Sequence, residues 1–285
     1  MGEFELLQTI YDASTNLGSN VTIGPGDDMG EVIVGSNKFL IAVDHLIVGR
    51  HVQLDASPED IGRKAVARCF SDIAAMCGSP VCSLMTACLP TGCDDEWAMR
   101  VFKSAKEHSE HWGGPIIGGD IATSECKNAI FTVTAMATPS KLGAVKRSGA
   151  QVGDIVCVTG ELGNSIAGHH LTFEPRIKLA KAIQESLGED LHSMIDISDG
   201  LAQDSEHLTN EKCSIKLDTK SLPLRTGATI KGALGDGEDY ELLFTCTSPP
   251  KTDEVTVIGK VVERCQSSII DYMDAAIDVQ GWQHV

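Results

Sequence analysis

Gly24-Pro25-Gly26-Asp27-Asp28-Met29-Gly30 is a short glycine-rich stretch with two adjacent carboxylates at its centre. Three glycines and a proline favour a tight, open loop. In an extended strand the side chains of Asp27 and Asp28 would point to opposite faces, whereas a kinked loop allows both to turn inward. Two close carboxylates repel each other, and a bound divalent cation relieves that repulsion. A solvated surface turn explains this stretch alone equally well, because Asp and Gly both favour turns.

Further aspartates recur at positions where an apolar pattern predicts burial. Asp44 follows the run Phe39–Val43, and Asp72 lies within the helical segment Phe70–Met76. Carboxylates are rarely buried unless they are paired or bind metal. Because these motifs contain no His or Cys, their hard oxygen ligands suit Mg²⁺, Mn²⁺ or Ca²⁺ rather than zinc. The remaining aspartates of this kind are Asp120, Asp196 and Asp199.

The composition argues against several classes of protein. With 23 Lys and Arg against 40 Asp and Glu, the net charge is −17 at pH 7, which disfavours nucleic acid as a partner. The ten cysteines form no C-x-x-C pair and fall singly in apolar runs, so we interpret them as reduced core residues of a cytoplasmic protein. The first residues lack the pattern of a signal peptide, and no stretch is apolar for the ~18 residues that a membrane span needs.

The length of 285 residues predicts two domains. We place their boundary near residue 140, where Lys141, Lys146 and Arg147 form the most basic short stretch. The predicted domains are therefore 1–140 and 141–285. A plain linker is one interpretation of the basic stretch, and a contact between Arg147 and a phosphate is the other.

The order of predicted elements indicates an α+β fold in the first domain. Ser57, followed by Pro58 and two acids, is typical of a helix start, and the helix is predicted to run to about Cys77. The whole order is β-β-α-β-α-β-β, which favours a sheet with helices on one face. The predicted strands are Val32–Val34, Phe39–Val43, Val81–Leu89, Ile116–Ile117 and Ala129–Ala137, and the second helix is Asp94–His111.

Two turns of the second domain are candidate phosphate sites. The strand Ile155–Thr159 leads into the glycine turn Gly160–Ser165, and the strand Met194–Ile197 leads into Ser198-Asp199-Gly200. A turn of this kind before a helix can bind phosphate through backbone N–H groups. Tight packing between a strand and a helix would produce the same glycines.

Several short motifs follow one another in the order found in a known family. They are Gly26-Asp27-Asp28, Val43-Asp44 with Gly49-Arg50-His51, Pro58–Gly62, Ser71–Met76, Gly118-Gly119-Asp120, Arg147–Ala150, Asp196–Leu201 and Gly237–Leu242. The chain resembles the thiamine-monophosphate kinase family, within the superfamily of aminoimidazole ribonucleotide synthetase, selenophosphate synthetase and a hydrogenase maturation factor. The resemblance covers nearly the whole chain. It implies a two-domain PurM-like fold (α+β / α/β), with an N-terminal mixed sheet that has helices on one face and dimerises, and a C-terminal α/β domain.

The same resemblance implies an activity. The expected reaction is ATP-dependent transfer of the γ-phosphoryl group to thiamine monophosphate, assisted by several Mg²⁺ ions in a homodimer. No Gly-x-x-x-x-Gly-Lys-Ser/Thr sequence is present, so metals on carboxylates would supply the positive charge that a loop lysine supplies elsewhere. The acceptor is a phosphate oxygen of low pKa, so no strong general base is required. Another enzyme of the superfamily and a non-catalytic nucleotide- or metal-binding paralogue are the alternatives.

The family motifs also imply roles for individual residues. The family usually carries hydroxyl residues just before Asp44. Valine has no hydroxyl, so Val43 would bind metal through its backbone carbonyl. The other implied metal ligands are Asp27, Asp28, Asp44, Asp72, Asp120, Asp196 and Asp199. The implied catalytic residues are Asp72, Asp120 and Asp199. The implied ATP contacts are Gly119, Asp120, Arg147 and Ser198, and the implied contacts to thiamine monophosphate are His51, Glu238 and Trp282.

Overall fold

The computed structural model describes residues 9–11, 13–14, 16–271 and 276–277. Among these residues, no helix is both long and apolar enough to cross a membrane. The elements of the first half are β1 Val21–Ile23, β2 Gly30–Val34, β3 Asn37–Ile47, α1 Pro58–Ala75, β4 Ser79–Pro90, α2 Asp95–His111, β5 Ile116–Ser124 and β6 Ile130–Thr138. The six strands form one mixed sheet in the order β1-β2-β3-β6-β4-β5, in which β4 and β5 are parallel.

A second sheet is built from the rest of the chain. The elements are β7 Ile155–Thr159, α3 His169–Thr172, α4 Ile177–Leu187, β8 Leu191–Asp196, α5 Leu201–Leu208, β9 Cys213–Leu217, α6 Ile230–Gly235, β10 Leu242–Cys246, β11 Val255–Glu263 and β12 Ile269–Asp271. The order of the strands in the sheet is β12-β9-β11-β7-β10-β8, and neighbouring strands are antiparallel except for the pair β9 and β12. Short 3₁₀ turns lie at Ser165–Ala167 and Gly188–Asp190.

Helix α1 lies between the two sheets and contacts both halves of the chain. It begins where the sequence predicts, because the backbone N–H of Asp60 donates to the Ser57 hydroxyl at 3.1 Å. Helix α2 approaches it so closely at Gly62 that a Cβ there would lie 2.2 Å from the carbonyl oxygen of Val101. On its other sides α1 contacts β3, β6, α4 and β8. It is therefore buried on nearly all faces.

One apolar core continues through both halves. Phe70 and Phe131 of the first half belong to the same cluster as Ile183 and Phe244 of the second half. A second cluster packs α5 and α6 on the far face of the second sheet. Along the chain, the first sheet ends at Thr138 and the second begins at Ile155. The apolar core is not divided there, because one cluster includes residues of both halves. The domain boundary near residue 140 stays a prediction.

The opposite face of the first sheet is open in the single chain. Large apolar side chains project from it, and β5 is exposed over nearly its whole length. This strand also continues through Gly118-Gly119-Asp120, whereas the sequence predicted a strand at Ile116–Ile117 alone. The exposed apolar residues on this face include Ile41, Val43 and Leu84.

Candidate active site

Three of the predicted aspartates meet between the two sheets. Carboxylate oxygens of Asp28, Asp72 and Asp196 all lie within 4.8 Å of one another. They come from the glycine loop before β2, from α1 and from the end of β8. Oδ2 of Asp28 is buried and has no hydrogen-bond partner among the described residues. Hard oxygen donors this close, with an unsatisfied buried oxygen, fit a divalent cation such as Mg²⁺.

Two neighbouring side chains partly satisfy the cluster. Arg147 donates from Nη2 to Asp28 Oδ1 at 2.6 Å, and its backbone N–H donates to Asp27 Oδ1 at 3.1 Å. The Ser71 hydroxyl donates to Asp196 Oδ2 at 2.5 Å. Arg147, predicted to contact a phosphate, is thus paired with an acid of the cluster in this structure.

The pKa values of the cluster show that its negative charge is not balanced. Burial and the neighbouring charge of Asp28 raise the pKa of Asp196 to about 7. Burial and the charges of Asp196, Asp44 and Asp28 raise the pKa of Asp72 well above its usual range. The pKa of Asp28 is raised by burial even though Arg147 opposes the effect. A cation bound here would relieve this cost.

A buried carboxylate, Asp204, shapes the adjoining turn. Its Oδ2 accepts hydrogen bonds from the backbone N–H groups of Ser198 and Asp199 at 3.0 Å and from Gly200 at 3.1 Å. The turn was predicted to bind phosphate through those groups, and that prediction is wrong because the chain supplies its own anion. The sequence signal for this arrangement is an aspartate in the first turn of α5.

The turn Gly160–Ser165 is closed in a similar way. The N–H of Gly163 donates to the Asp239 carboxylate at 2.9 and 3.0 Å, and the N–H of Leu162 donates to Pro223 at 2.7 Å. Arg225 also pairs with Asp239 at 2.8 Å. The second predicted phosphate turn is therefore used for packing inside the second half.

His51 and Glu238, the predicted acceptor contacts, line one cavity of about 290 Å³. Behind Glu238 lies Lys64, whose side chain is fully buried. Lys64 Nζ forms an ion pair with Glu238, donates to the carbonyl oxygen of His51 at 2.5 Å and lies 2.8 Å from Nδ1 of His170. Burial alone would raise the pKa of Glu238, but His170, Lys64 and Arg68 outweigh it and lower the pKa to about 2.

The carboxylate of Asp44 is paired with Arg68. Arg68 Nε donates to Oδ2 at 2.7 Å, and Nη2 donates to Oδ1 at 3.1 Å. Lys64, Arg68 and Asp72 follow one another at four-residue intervals on α1, so all three lie on one side of the helix. Sequence reasoning missed both cations, although charges at this spacing in a largely apolar helix are a usable signal.

Gly119 and Asp120 lie on the edge strand β5, and Asp120 is not among the carboxylates that meet in the acidic cluster. The register pairs Asp44 with Val133, Val133 with Met85, and Met85 with Gly119, which places β5 about 14 Å from β3 at three strand spacings. A Cβ at Gly119 would lie 1.8 Å from the carbonyl oxygen of Met85, so close strand packing requires a glycine there.

Three predicted site residues remain to be placed: Asp199, Val43 and Trp282. Asp199 lies in the turn beside the cluster, and its charge contributes to the raised pKa of the buried Asp204. The side chain of Val43 is 63% exposed and lies on the open face of the first sheet, next to Asp44 in β3. Trp282 lies outside the described residues.

Comparison with known proteins agrees with this geometry. The family model of the AIR synthase related protein, N-terminal domain, matches residues 26–138. Thiamine-monophosphate kinase of Haemophilus influenzae is 32% identical over 93% of this chain and 90% of the relative, and that of Rhodopirellula baltica is 35% identical over 86% and 84%. A solved structure described as AaThiL complexed with AMPPCP and TMP covers 100% of this chain and 97% of its own, with 28% identity and a TM-score of 0.87.

The two sheets, the buried helix between them and the acidic cluster place the chain in the PurM-like class of AIR synthase related proteins. A hydrogenase maturation complex shares this fold at 17% identity, with a TM-score of 0.74. Within the class, the identity and coverage of the relatives are decisive: the chain belongs to the thiamine-monophosphate kinase family. The predicted fold and family are confirmed.

Proposed function

We propose that this chain transfers the γ-phosphoryl group of ATP to thiamine monophosphate, giving thiamine diphosphate and ADP. The observation that carries the proposal is the arrangement along α1. Asp72 joins the acidic cluster, and Lys64, two turns earlier, holds Glu238 at the cavity that His51 lines. A site for phosphate-bound metal and a site for an acceptor therefore adjoin the same helix. The relatives named above support the choice of reaction.

The acidic cluster is the proposed site for Mg²⁺. Asp28, Asp72 and Asp196 would hold the metal, with Asp27 and Asp199 beside them. The bound metal would neutralise charge that develops on the transferred phosphoryl group. Arg147 lies at the edge of the cluster and would orient the phosphates of ATP, and Ser198 lies in the adjoining turn.

The cavity at Glu238 is the proposed acceptor site. Glu238 remains ionised because Lys64, His170 and Arg68 lower its pKa to about 2, although burial opposes them. A permanent carboxylate at the wall of the cavity suits the positively charged thiazolium of thiamine. The phosphate of the acceptor is already ionised at neutral pH, so the chain needs no strong base to activate it.

We also propose that the protein is a homodimer formed by the open face of the first sheet. Contiguous apolar area of this kind is typical of an interface. The edge strand β5, which presents Asp120, would lie in that interface. Asp120 would then complete the metal and ATP site of the other protomer, which accounts for its distance from the cluster within one chain.

A cytoplasmic location is proposed from the cysteines. All ten are free thiols, and five of them are buried. Such thiols persist in a reducing compartment.

A coupled assay of ADP release tests the proposed function. Thiamine monophosphate should support turnover, whereas unphosphorylated thiamine and other phosphorylated acceptors should not. Turnover with a different phosphorylated acceptor would favour another enzyme of the superfamily. Binding of nucleotide without turnover on any acceptor would favour a non-catalytic paralogue.

A further inference from the structure

Arg68 occupies an unusual position between the metal side and the acceptor side of the site. It is 9% exposed and makes two hydrogen bonds to Asp44, one to each carboxylate oxygen. The third nitrogen of its guanidinium, Nη1, lies 3.9 Å from Glu238 Oε1 and has no hydrogen-bond partner within the described part of the chain. A guanidinium that engages both oxygens of one carboxylate is a strong and directional partner.

The charges around Lys64 and Arg68 of α1 balance one another. Lys64 and Arg68 supply two positive charges, and Asp44 and Glu238 supply two negative charges. The acidic cluster differs, because Asp28, Asp72 and Asp196 share the single nearby guanidinium of Arg147. Positive charge is thus lacking at the acidic cluster but not at the pair of Asp44 and Arg68.

A metal ion on Asp44 would have to displace Arg68. Asp44 Oδ1 also accepts a hydrogen bond from the backbone N–H of His45 at 2.8 Å, so both of its oxygens are already engaged. The displaced guanidinium would stay buried with Glu238 as its remaining carboxylate. Leaving a buried charge without its closest partner is costly.

We propose that Arg68 is the resident cation of Asp44 and takes the place of a divalent ion there. Metal binding by this chain is then centred on the cluster of Asp28, Asp72 and Asp196 and excludes Asp44. Asp44 acts as the partner that fixes Arg68 between the cluster and the acceptor cavity. The proposal rests on the proposed function for the presence of a metal site and makes no use of the acceptor.

The number of Mn²⁺ ions bound per chain tests this role directly. Mn²⁺ alone is titrated into the full-length protein and counted by electron paramagnetic resonance, without nucleotide or acceptor. Removing the guanidinium in Arg68→Gln frees Asp44, so this variant should bind one more Mn²⁺ per chain than the wild type. An equal number in both proteins would overturn the proposal.

Arg63→Gln is the matched control on the same helix. Arg63 pairs with Glu174 and with the carbonyl oxygen of Leu171, away from the acidic cluster. This variant should bind the wild-type number of ions. An extra ion in Arg63→Gln as well would show a general effect of lost positive charge and would overturn the specific role of Arg68.

Asp44→Asn decides the same question if Arg68→Gln does not fold. The asparagine keeps an oxygen that can accept from Arg68, and it should bind as many Mn²⁺ ions as the wild type. Loss of one ion in Asp44→Asn would identify Asp44 as a metal ligand and overturn the proposal. A wild type that binds no Mn²⁺ would instead contradict the metal site of the proposed function, and failure to phosphorylate thiamine monophosphate would leave the ion count unaffected.

Discussion

At the scale of single residues, the carboxylates of Asp28, Asp72 and Asp196 repel one another in a site that is largely shielded from water. The fold holds them within 4.8 Å because each is fixed by a different element. Folding therefore concentrates negative charge that a cation can neutralise. Binding energy of the metal offsets the cost of this arrangement.

The pH dependence of stability should reveal this cost. The pKa of Asp196 rises from 3.8 to about 7 on folding, first because of burial and then because of Asp28. The folded protein thus binds this proton more tightly than the unfolded chain, so metal-free stability falls as the pH rises from about 4 to about 7. Mg²⁺ should raise the Tm more at pH 8 than at pH 5, as measured by scanning fluorimetry with EDTA as reference. Equal increases at the two pH values would contradict the account.

Asp72→Asn tests the cluster by activity. Loss of this carboxylate should lower kcat by about 10²- to 10³-fold, because a charge that stabilises the transition state through metal is removed. The Tm of the metal-free variant should equal or exceed that of the wild type, since a repulsive charge is gone. Asp95→Asn, in the first turn of α2, is a matched control and should change neither quantity. Near-normal turnover by Asp72→Asn at saturating Mg²⁺ would remove Asp72 from the site.

Lys64→Met tests the support of the acceptor cavity. The variant leaves the Glu238 carboxylate without its closest cation and should lower the free energy of unfolding by about 3–5 kcal/mol. It should also raise the KM for thiamine monophosphate more than the KM for ATP. The double variant Lys64→Met with Glu238→Gln should recover part of the stability, because neither partner is then left charged. Urea unfolding and both KM values measure these effects, and an unaltered stability in Lys64→Met would contradict them.

The sequence predicted the acidic residues of the site better than its positively charged residues. Asp72 and Asp196 were found because charges inside apolar runs are unusual, and Asp28 was found because two adjacent carboxylates lie in a glycine-rich loop. Lys64 and Arg68 were missed because α1 is buried on nearly all sides, so no polar face separates functional charges from solvated ones. Their partners, Glu238 and Asp44, are distant in sequence, and no local pattern predicts such pairs.

At the scale of elements, short turns are held by carboxylates that lie later in the chain. Asp204 in α5 fixes Ser198-Asp199-Gly200, and Asp239 fixes the turn at Gly163. The turns resemble phosphate loops in sequence because both need glycine and free N–H groups. Whether a turn binds a ligand or its own chain depends on a side chain that lies elsewhere in the structure.

Asp204→Ala should release the turn after β8. Three backbone N–H groups lose their acceptor, which should cost about 1–3 kcal/mol of stability and raise the KM for ATP. Asp204→Asn keeps one acceptor oxygen, so its loss of stability and its rise in the KM for ATP should both be smaller. Thermal unfolding and steady-state kinetics compare the two variants. Equal changes of stability and of the KM for ATP in the two variants would indicate that the charge of Asp204, rather than its hydrogen bonds, fixes the turn.

Local patterns predicted most elements of the first half but not the pairing of the strands. The capped start of α1 follows from neighbouring residues, and the predicted strands Val32–Val34 and Phe39–Val43 lie within β2 and β3. Strand β5 was cut short because Gly118-Gly119-Asp120 favours a loop, whereas its pairing with β4 extends it. The second sheet is mainly antiparallel, and its order depends on contacts between distant strands.

At the scale of the whole molecule, the chain has one buried layer and one open sheet face. The helices and both sheets enclose α1, while the apolar side chains on the open face have no cover within the described part of a single chain. In the proposed dimer, this face would bring Asp120 of one copy to the acidic cluster of the other.

Leu84→Asp tests the proposed dimer. Leu84 is 44% exposed on β4, in register with Val43 on the open face, and a carboxylate there would be buried unpaired in the interface. Light scattering coupled to size exclusion should show a dimeric wild type and a monomeric variant, with loss of activity in the monomer. Met99→Asp, at a residue that is 65% exposed on α2, should remain dimeric. A monomeric wild type with full activity would contradict the proposed interface.

Phosphorus nuclear magnetic resonance of the complete reaction tests the transfer itself. With ATP, Mg²⁺ and thiamine monophosphate, the monophosphate signal should be replaced by the two coupled signals of thiamine diphosphate as ATP becomes ADP in equal amount. Free inorganic phosphate should stay at background, because the acceptor rather than water receives the phosphoryl group. Release of inorganic phosphate with an unchanged thiamine monophosphate signal would contradict the proposed function.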